Sequence, residues 1–233
     1  MDARQLRLCA LSSPFLVLIL ARHVRPRSEN MKATVRDLFG ASAIALVLSA
    51  TASAGPLEEG IAAYHEKRYT KAAELWRPLA ETGNAGAQYR LGSLYMEGHG
   101  VEHDDATAFM WFQRAATQGD AAAQYNVGAS YAAGTGVPKS DVDAAKWFRR
   151  AADQGVVFAQ LNLGLLYAAG NGVPQDSVEA LKWMELAFFA LPAGGARSDV
   201  ARAMTDVTAK MTPEQIDEAK KRERAWKVQR EVK

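Results

Sequence analysis

The chain has 233 residues, of which 48% are hydrophobic and 23% charged, with 28 Lys/Arg against 26 Asp/Glu. That balance belongs to a globular chain rather than a disordered one, and the length allows one or two ordinary domains. A single cysteine, Cys9, excludes an intrachain disulfide framework.

Residues 1–54 read as addressing rather than fold. From Met31 the chain runs MKATVRDLFGASAIALVLSATASAGP. Lys32 and Arg36 make a positive start, residues 38–48 are an apolar run of h-region length, and Ala52-Ser53-Ala54 is the small-x-small pattern of a signal-peptidase site. A signal peptide over 31–54 is expected, cut after Ala54, with a periplasmic or secreted product. No Cys follows the site, so no lipid-anchored precursor is expected.

A signal peptide normally begins at the chain terminus, which makes residues 1–30 an over-long gene start. The other reading uses 8–21 as a membrane element. That run has 14 residues and contains Pro14, short of the roughly 20 apolar residues a spanning helix needs. After cleavage no integral membrane protein is expected. Removing seven Lys/Arg and three Asp/Glu leaves 21 basic and 23 acidic residues. The apparent basicity is a property of the leader, and bulk charge implies no nucleic-acid partner.

The next segment, 55–84, contains LEEGIAAYHEKRYTKAAELWRPLAETG and reads as a helix pair. From there a period of 36 governs the chain. GDAAAQYNVGASYAAGTGVP (119–138) lies over GVVFAQLNLGLLYAAGNGVP (155–174) with 12 of 20 positions identical. Trp111, Trp147 and Trp183 share the register, as do Gly83, Gly119 and Gly155. A fixed period of this size marks a solenoid of stacked supersecondary units.

Each unit reads as two helices. In the first, Ala123, Val127 and Tyr131 fall on one face, and Gly128 beside them admits the next helix closely. A turn with Gly-x-Gly and, in two units, Val-Pro follows. The second helix opens at Ser140, Asp176 or Asp104, with Asp143 and Glu179 placed to complete a capping box in the two later units. Ala144, Trp147, Phe148, Ala151 and Ala152 are its core positions, and Gly155 ends it as a C′ glycine. Beyond the third unit, 198–210 reads as a helix. Thr212, Pro213 and Gln215 then give N-cap, N1 and N3 of a last helix whose Ile216, Ala219, Arg222 and Trp226 share a face. Residues 198–229 are read as the cap of the stack.

The order AQYxxGxxYxxGxGVPxDxxxAxxWFxxAAxQG resembles the Sel1-like repeat, a relative of the tetratricopeptide repeat. Three units carry it, 85–119, 121–155 and 157–190, together spanning 85–190, and 55–84 resembles a tetratricopeptide-like pair. Unit one has Glu102 in place of the Pro, and unit three departs after Trp183. The resemblance implies an all-α fold, a right-handed α/α superhelix whose first helices line a concave face. It further implies an adaptor or scaffold that binds a protein partner.

Repeated YAAGTGVP and YAAGNGVP could be phosphate cradles, but Val-Pro and a capping side chain separate the glycines from the helix start, so turn punctuation is the better reading. The turn EGHGVEHDDA brings His99, Glu102, His103, Asp104 and Asp105 together, residue types that hold Zn²⁺. Its place between helices and the use of Asp104 as a cap argue for an ordinary polar turn, and no metal or cofactor is assigned. HEKRY (65–69) lacks the second His of a zincin helix. Arg149-Arg150 and KKRER (220–224) read as solvated helix faces. No catalytic residue is identified, and the protein is read as a non-enzyme.

One pattern resists a bland reading. Opposite the core stripe of each first helix lie Tyr89, Ser93 and Met96 in unit one, Tyr125 in unit two, and Phe158, Leu161 and Leu165 in unit three. This face is small, aromatic and increasingly apolar. It is either a groove for a partner peptide or helix, anchored by these residues, or a surface buried against neighbouring helices or the Phe188-Phe189 segment. An alternative function is β-lactam- or peptidoglycan-related binding or hydrolysis, as in exported Sel1-like proteins. Those carry a disulfide in each repeat, which this chain lacks. A saccharide platform would need Trp111, Trp147 and Trp183 at the surface.

Overall fold

The structure is a computed structural model and describes residues 55–231. The signal peptide, its cleavage point and the reading of residues 1–30 lie outside the described residues. Ten α-helices and no strand occur among the described residues: α1 Pro56–His65, α2 Tyr69–Glu81, α3 Ala85–Glu97, α4 Asp105–Thr117, α5 Ala121–Ala133, α6 Asp141–Asp153, α7 Val157–Ala169, α8 Ser177–Ala190, α9 Gly195–Thr208 and α10 Pro213–Glu231. None of them is long and apolar enough to cross a membrane. Each helix from α1 to α9 packs on its neighbours in sequence, the arrangement of an all-α solenoid. The exception is α10, which skips α9 and packs on α8.

Small residues set how closely the helices approach. Ala123, Val127, Ala144, Ala151, Ala152 and Ala159 have no exposed surface, and Phe112, Phe148 and Leu163 fill the space between them. At Gly128 a Cβ would lie 2.7 Å from the Phe148 ring, so only glycine lets α6 bring its Phe against the α5 backbone. Gly92 meets Phe112 and Gly164 meets Met184 in the same way.

The turn glycines do more than permit a turn. Gly136 has φ +71°, and a Cβ there would lie 2.2 Å from the Asp105 carbonyl oxygen. In the next unit Gly172 approaches the Asp141 backbone equally closely. Each turn thus rests on the start of the preceding unit's second helix, and the second glycine of Gly-x-Gly is a contact between units.

Second helices start where the capping signals place them. Asp104 Oδ1 accepts from the Ala106 and Thr107 amides, Ser140 Oγ from Asp143, and Asp176 Oδ1 from Val178 and Glu179. The reciprocal arm of the expected capping box is absent, and this corrects the sequence reading. The amides of Asp104, Ser140 and Asp176 donate instead to the carbonyls of Tyr95, Tyr131 and Tyr167. With that donor occupied, Asp143 takes the Ser140 hydroxyl at 2.7 Å, and Glu179 turns away to other partners. A complete reciprocal box forms only at α10, where the Thr212 amide donates to Gln215 Oε1 and the Gln215 amide to Thr212 Oγ1.

A buried amide ladder runs through the stack. Gln88, Gln124 and Gln160 donate to the carbonyls of Ala80, Ala116 and Ala152, each near the C-terminal end of the preceding second helix. Each of these carbonyls also accepts the amide of the glycine that follows its helix, Gly83, Gly119 or Gly155, so the glutamine adds a second donor to a helix end and ties that end to the next unit. Gln118 and Gln154 close the ladder by donating to the Oε1 atoms of Gln88 and Gln124. Position 190, where a third such residue would stand, is Ala.

Candidate partner-binding groove

The first helices α3, α5 and α7 position the residues singled out on their outer faces. Tyr89 is half-buried, its ring 5.8 Å from Phe112. Ser93 is half-buried and returns its hydroxyl to the Tyr89 carbonyl. Met96 is exposed at the end of α3. Tyr125 lies between Phe148 at 5.8 Å and Phe158 at 6.4 Å. The tyrosines are therefore partly committed to holding second helices in place.

Unit three differs within itself. Phe158 is 51% exposed and Leu165 is 42% exposed. Leu161 is half-buried and packs in the cluster formed by Met184, Leu191 and Val200 with Phe188, Met204 and Val207. The structure thus separates residues that share a helical face: Phe158 and Leu165 remain open, and Leu161 is covered by α9 and the end of α8.

Two depressions meet at Leu165. One, of about 440 Å³, lies between α5 and α7 and is lined by Ala129, Ala132, Ala133, Asn162, Leu165 and Leu166 above Phe148. The other, of about 300 Å³, lies between α7 and α9, where Leu165, Ala168 and Met184 face Ala203 and Val207. Neither α5 nor α7 carries a charged residue. Charge enters only at the far end, with Asp206 and Lys210. Such a surface can take up apolar side chains. The wall from α9 was not singled out from sequence. Its signal was there: Val200, Ala203 and Val207 stand at i, i+3 and i+7.

The other candidate sites are engaged in local contacts. His99 stacks on Tyr69 at 4.3 Å and sits 2.9 Å from Glu97, and His103 Nδ1 meets the Met96 carbonyl. Among the described residues no group of three or more His, Cys, Asp or Glu could hold a metal ion. HEKRY spans the α1–α2 turn, with Lys67 at φ +61°. Arg149 hydrogen-bonds the Tyr167 hydroxyl, and Arg150 lies over the Trp147 ring. Trp111 and Trp183 are buried. Trp147 corrects its core reading: it is half-buried, with Arg150 only 4.4 Å above the ring. A sugar platform on the three tryptophans therefore has no open ring to use.

The terminal joint holds charged groups that sequence reasoning passed over. Glu179, read as a capping acid, accepts from Trp183 Nε1 and Arg222 at 3.0 Å each and pairs with Lys182 at 3.4 Å. Burial pushes its carboxyl up, but Lys182, Arg222 and Arg149 outweigh that and hold it below the ordinary carboxylate range. Burial pulls the Lys182 ammonium down, against the attraction of Glu179. Glu185 and Glu223 are both more than nine-tenths buried, on α8 and α10.

The Sel1 repeat model matches residues 85–120, 121–156 and 157–188. Among solved structures, a Sel1 repeat protein from Oxalobacter formigenes is 39% identical over 56% of this chain and 54% of its own, with a TM-score of 0.54. A protective antigen present in uropathogenic Escherichia coli strains, displaying an SLR fold, is 29% identical over 67% of this chain and 40% of its own, with a TM-score of 0.48. The chain thus spans about half the length of the first of these and less of the second. No curated protein matches it.

Proposed function

Because this chain is a Sel1-like repeat protein over residues 85–188, we propose that it is an exported adaptor that takes a peptide or helix of a protein partner into the groove between α5 and α7. Sel1 repeat proteins generally mediate protein–protein interaction. The observation that carries the site is the pair Phe158 and Leu165, large, apolar and open on an uncharged surface floored by alanines. Exposed apolar area flanking a cavity is what a hot spot for a partner's side chains requires. Tyr125 supports Phe158 from behind, and Tyr89, Ser93 and Met96 extend the same face along α3. Leu161 holds the end of the groove in place by packing under α9. The signal-peptide pattern read from the sequence over 31–54 supports an encounter in the periplasm or outside the cell.

The test is capture from periplasmic extract with the purified chain. Phe158→Ser and Leu165→Ser are expected to lose the partners the parent retains, at unchanged helical content. Val142→Ser removes an equally exposed apolar residue from another surface and should lose none. Equal capture by all three variants overturns the groove assignment.

A further inference from the structure

The corner that joins α8 to α9 departs from the repeat. The match to the Sel1 repeat stops at residue 188, and from Leu186 to Ala196 the chain carries no charged residue. Leu191 is buried and anchors the turn. The residues on either side of it face solvent: Phe189, Ala190, Pro192 and Ala193 are exposed. Phe189, at 63%, is the most exposed of the large apolar side chains among the described residues. It lines neither of the depressions that meet at Leu165. A turn between helices is ordinarily polar, and an exposed apolar stretch marks an interaction surface.

Cations collect around this corner. The Arg197 guanidinium of α9 lies 4.3 Å over the Phe188 ring, and the Lys227 ammonium of α10 lies 5.1 Å over Phe189. The two rings meet edge to face at 5.4 Å. Lys220, Arg224 and Lys227 stand at i, i+4 and i+7 on one face of α10, and all three act on Glu185, one turn before Phe189 on α8. Lys220 and Arg224 are exposed and take part in no salt bridge among the described residues. The acids within this group are covered: Glu185 and Glu223 are buried, and Glu223 is paired with Lys227. Asp199 is paired with Arg202, and Asp217 lies about 15 Å of helix before Lys227. The corner presents an apolar centre with a cationic rim.

We propose that this corner is a membrane-docking tip: Phe189 enters the surface of a bilayer rich in anionic phospholipid, while Arg197, Lys220, Arg224 and Lys227 engage the headgroup phosphates. The order of chemistry at the corner matches the order at the interface. The ring needs to reach only the boundary of headgroups and acyl chains, about 5–10 Å deep. Lys and Arg stems lie along apolar surface and keep their charges in the headgroup layer, and Lys227 and Arg197 already lie along the rings. Neither part suffices alone: one apolar anchor binds only marginally, and a basic patch is the second signal that makes the contact stable. An acidic protein could use the rim, but it would have to bring a pocket for the ring. A fluid bilayer accepts the ring without a preformed shape. The contact is peripheral, since none of the described helices is long and apolar enough to span a membrane. It uses neither Phe158 nor Leu165, so it does not depend on the groove.

The test is ¹⁹F NMR of the full chain labelled with 4-fluorophenylalanine, on bicelles of phosphatidylcholine and phosphatidylglycerol in equal parts that carry a nitroxide lipid. The two exposed rings are assigned by Phe189→Leu and Phe158→Leu. Broadening at Phe189 is expected to exceed that at Phe158 severalfold, and the excess should vanish on phosphatidylcholine alone and shrink with added salt. Any lipid affinity of the apolar run at 38–48 is common to every variant. Lys220→Gln and Arg224→Gln, both at exposed positions, should each raise the lipid concentration that gives half the excess by about fivefold at unchanged helical content. Equal broadening of Phe189 and Phe158 overturns the tip, as does an excess that persists on neutral bicelles or is untouched by both glutamine variants. A Phe189 resonance that ignores bicelles but shifts on addition of polyglutamate assigns the rim to an acidic protein surface and equally overturns it.

Discussion

The internal joints of this solenoid and its terminal joint solve one problem with different chemistry. Between α4 and α5, and between α6 and α7, contact is made by alanines and buried amides, with no buried charge. Gln124, for example, donates to the Ala116 carbonyl and accepts from Gln154. Between α8 and α10 the contact is two tryptophans flanked by charged clusters. The internal joint can recur because it needs only small residues at fixed spacing and one amide aimed at a helix end. The terminal joint must accept a helix that arrives out of sequence, so it depends on particular large and charged side chains. Neutral ladders should be insensitive to pH, and the ionic joint should not.

The largest break in that comparison is Trp183→Ala. Trp183 has no exposed surface and contacts Trp226, so truncation leaves a cavity under α10. A loss of about 3–5 kcal/mol is expected, read as an earlier urea transition. It should fall on the C-terminal end first, with the N-terminal units melting near their parent midpoint, because a solenoid couples only neighbours. Gln124→Ala is next. It removes two hydrogen bonds of the ladder, while the Ala116 carbonyl keeps the Gly119 amide and the Gln154 amide keeps the Gly119 carbonyl, so a loss of about 0.5–1.5 kcal/mol per bond is expected. A double-mutant cycle of Gln124→Ala with Gln154→Ala should show strong coupling, and additive losses would mean the ladder is not cooperative.

How much of this contrast was legible in the sequence depends on whether the signal was periodic. The 36-residue clock, the N-caps at Asp104, Ser140 and Asp176 and the full capping box at Thr212 could be read because each uses local chemistry. The ladder glutamines were visible in the repeat pattern, yet their role was not, because it depends on which carbonyl lies across the joint. Glu179 shows the limit most plainly. Three residues after Asp176 it reads as a capping acid, but the Asp176 amide is already taken by Tyr167, and Arg222, distant in sequence, supplies another partner. Trp147 reads as core by register, yet it lies half-open under Arg150, while Trp183 at the same register is buried beside Trp226. At the groove, helical periodicity placed Phe158, Leu161 and Leu165 on one face. Only the placement of α9 decides which of them stays open.

Glu179→Gln sharpens the comparison at lower cost. The side chain is largely buried, but Arg149 and Arg222 are substantially exposed, so screening limits the loss to about 1 kcal/mol at neutral pH. The informative quantity is the pH profile. Glu179 is depressed in the folded state, so its contribution is present above the ordinary carboxylate value and disappears as pH falls through the depressed one. The variant should lose that part of the acid dependence. A parent-like profile in acid would show that Glu179 is not the group that titrates there. Burial pushes the Glu185 carboxyl above its ordinary range, so Glu185→Gln should alter the profile at higher pH and in the opposite direction.

The smallest effect on stability is expected in the groove, and there a null result is the informative one. Phe158 and Leu165 are about half exposed, and each contributes to folding only through the part of its surface already covered. Replacing either with Ser should change stability by within about 0.5 kcal/mol, less than the core changes above. Tyr89 and Tyr125 would confuse such an experiment, because they brace Phe112 and Phe148 and their loss would unsettle second helices as well as the surface. A partner that no longer binds Phe158→Ser, while urea midpoints match the parent, separates recognition from folding. If the Ser variants destabilise the chain as much as Gln124→Ala does, these side chains belong to the core of the third unit, and the depression beside them is a packing defect rather than a receptor.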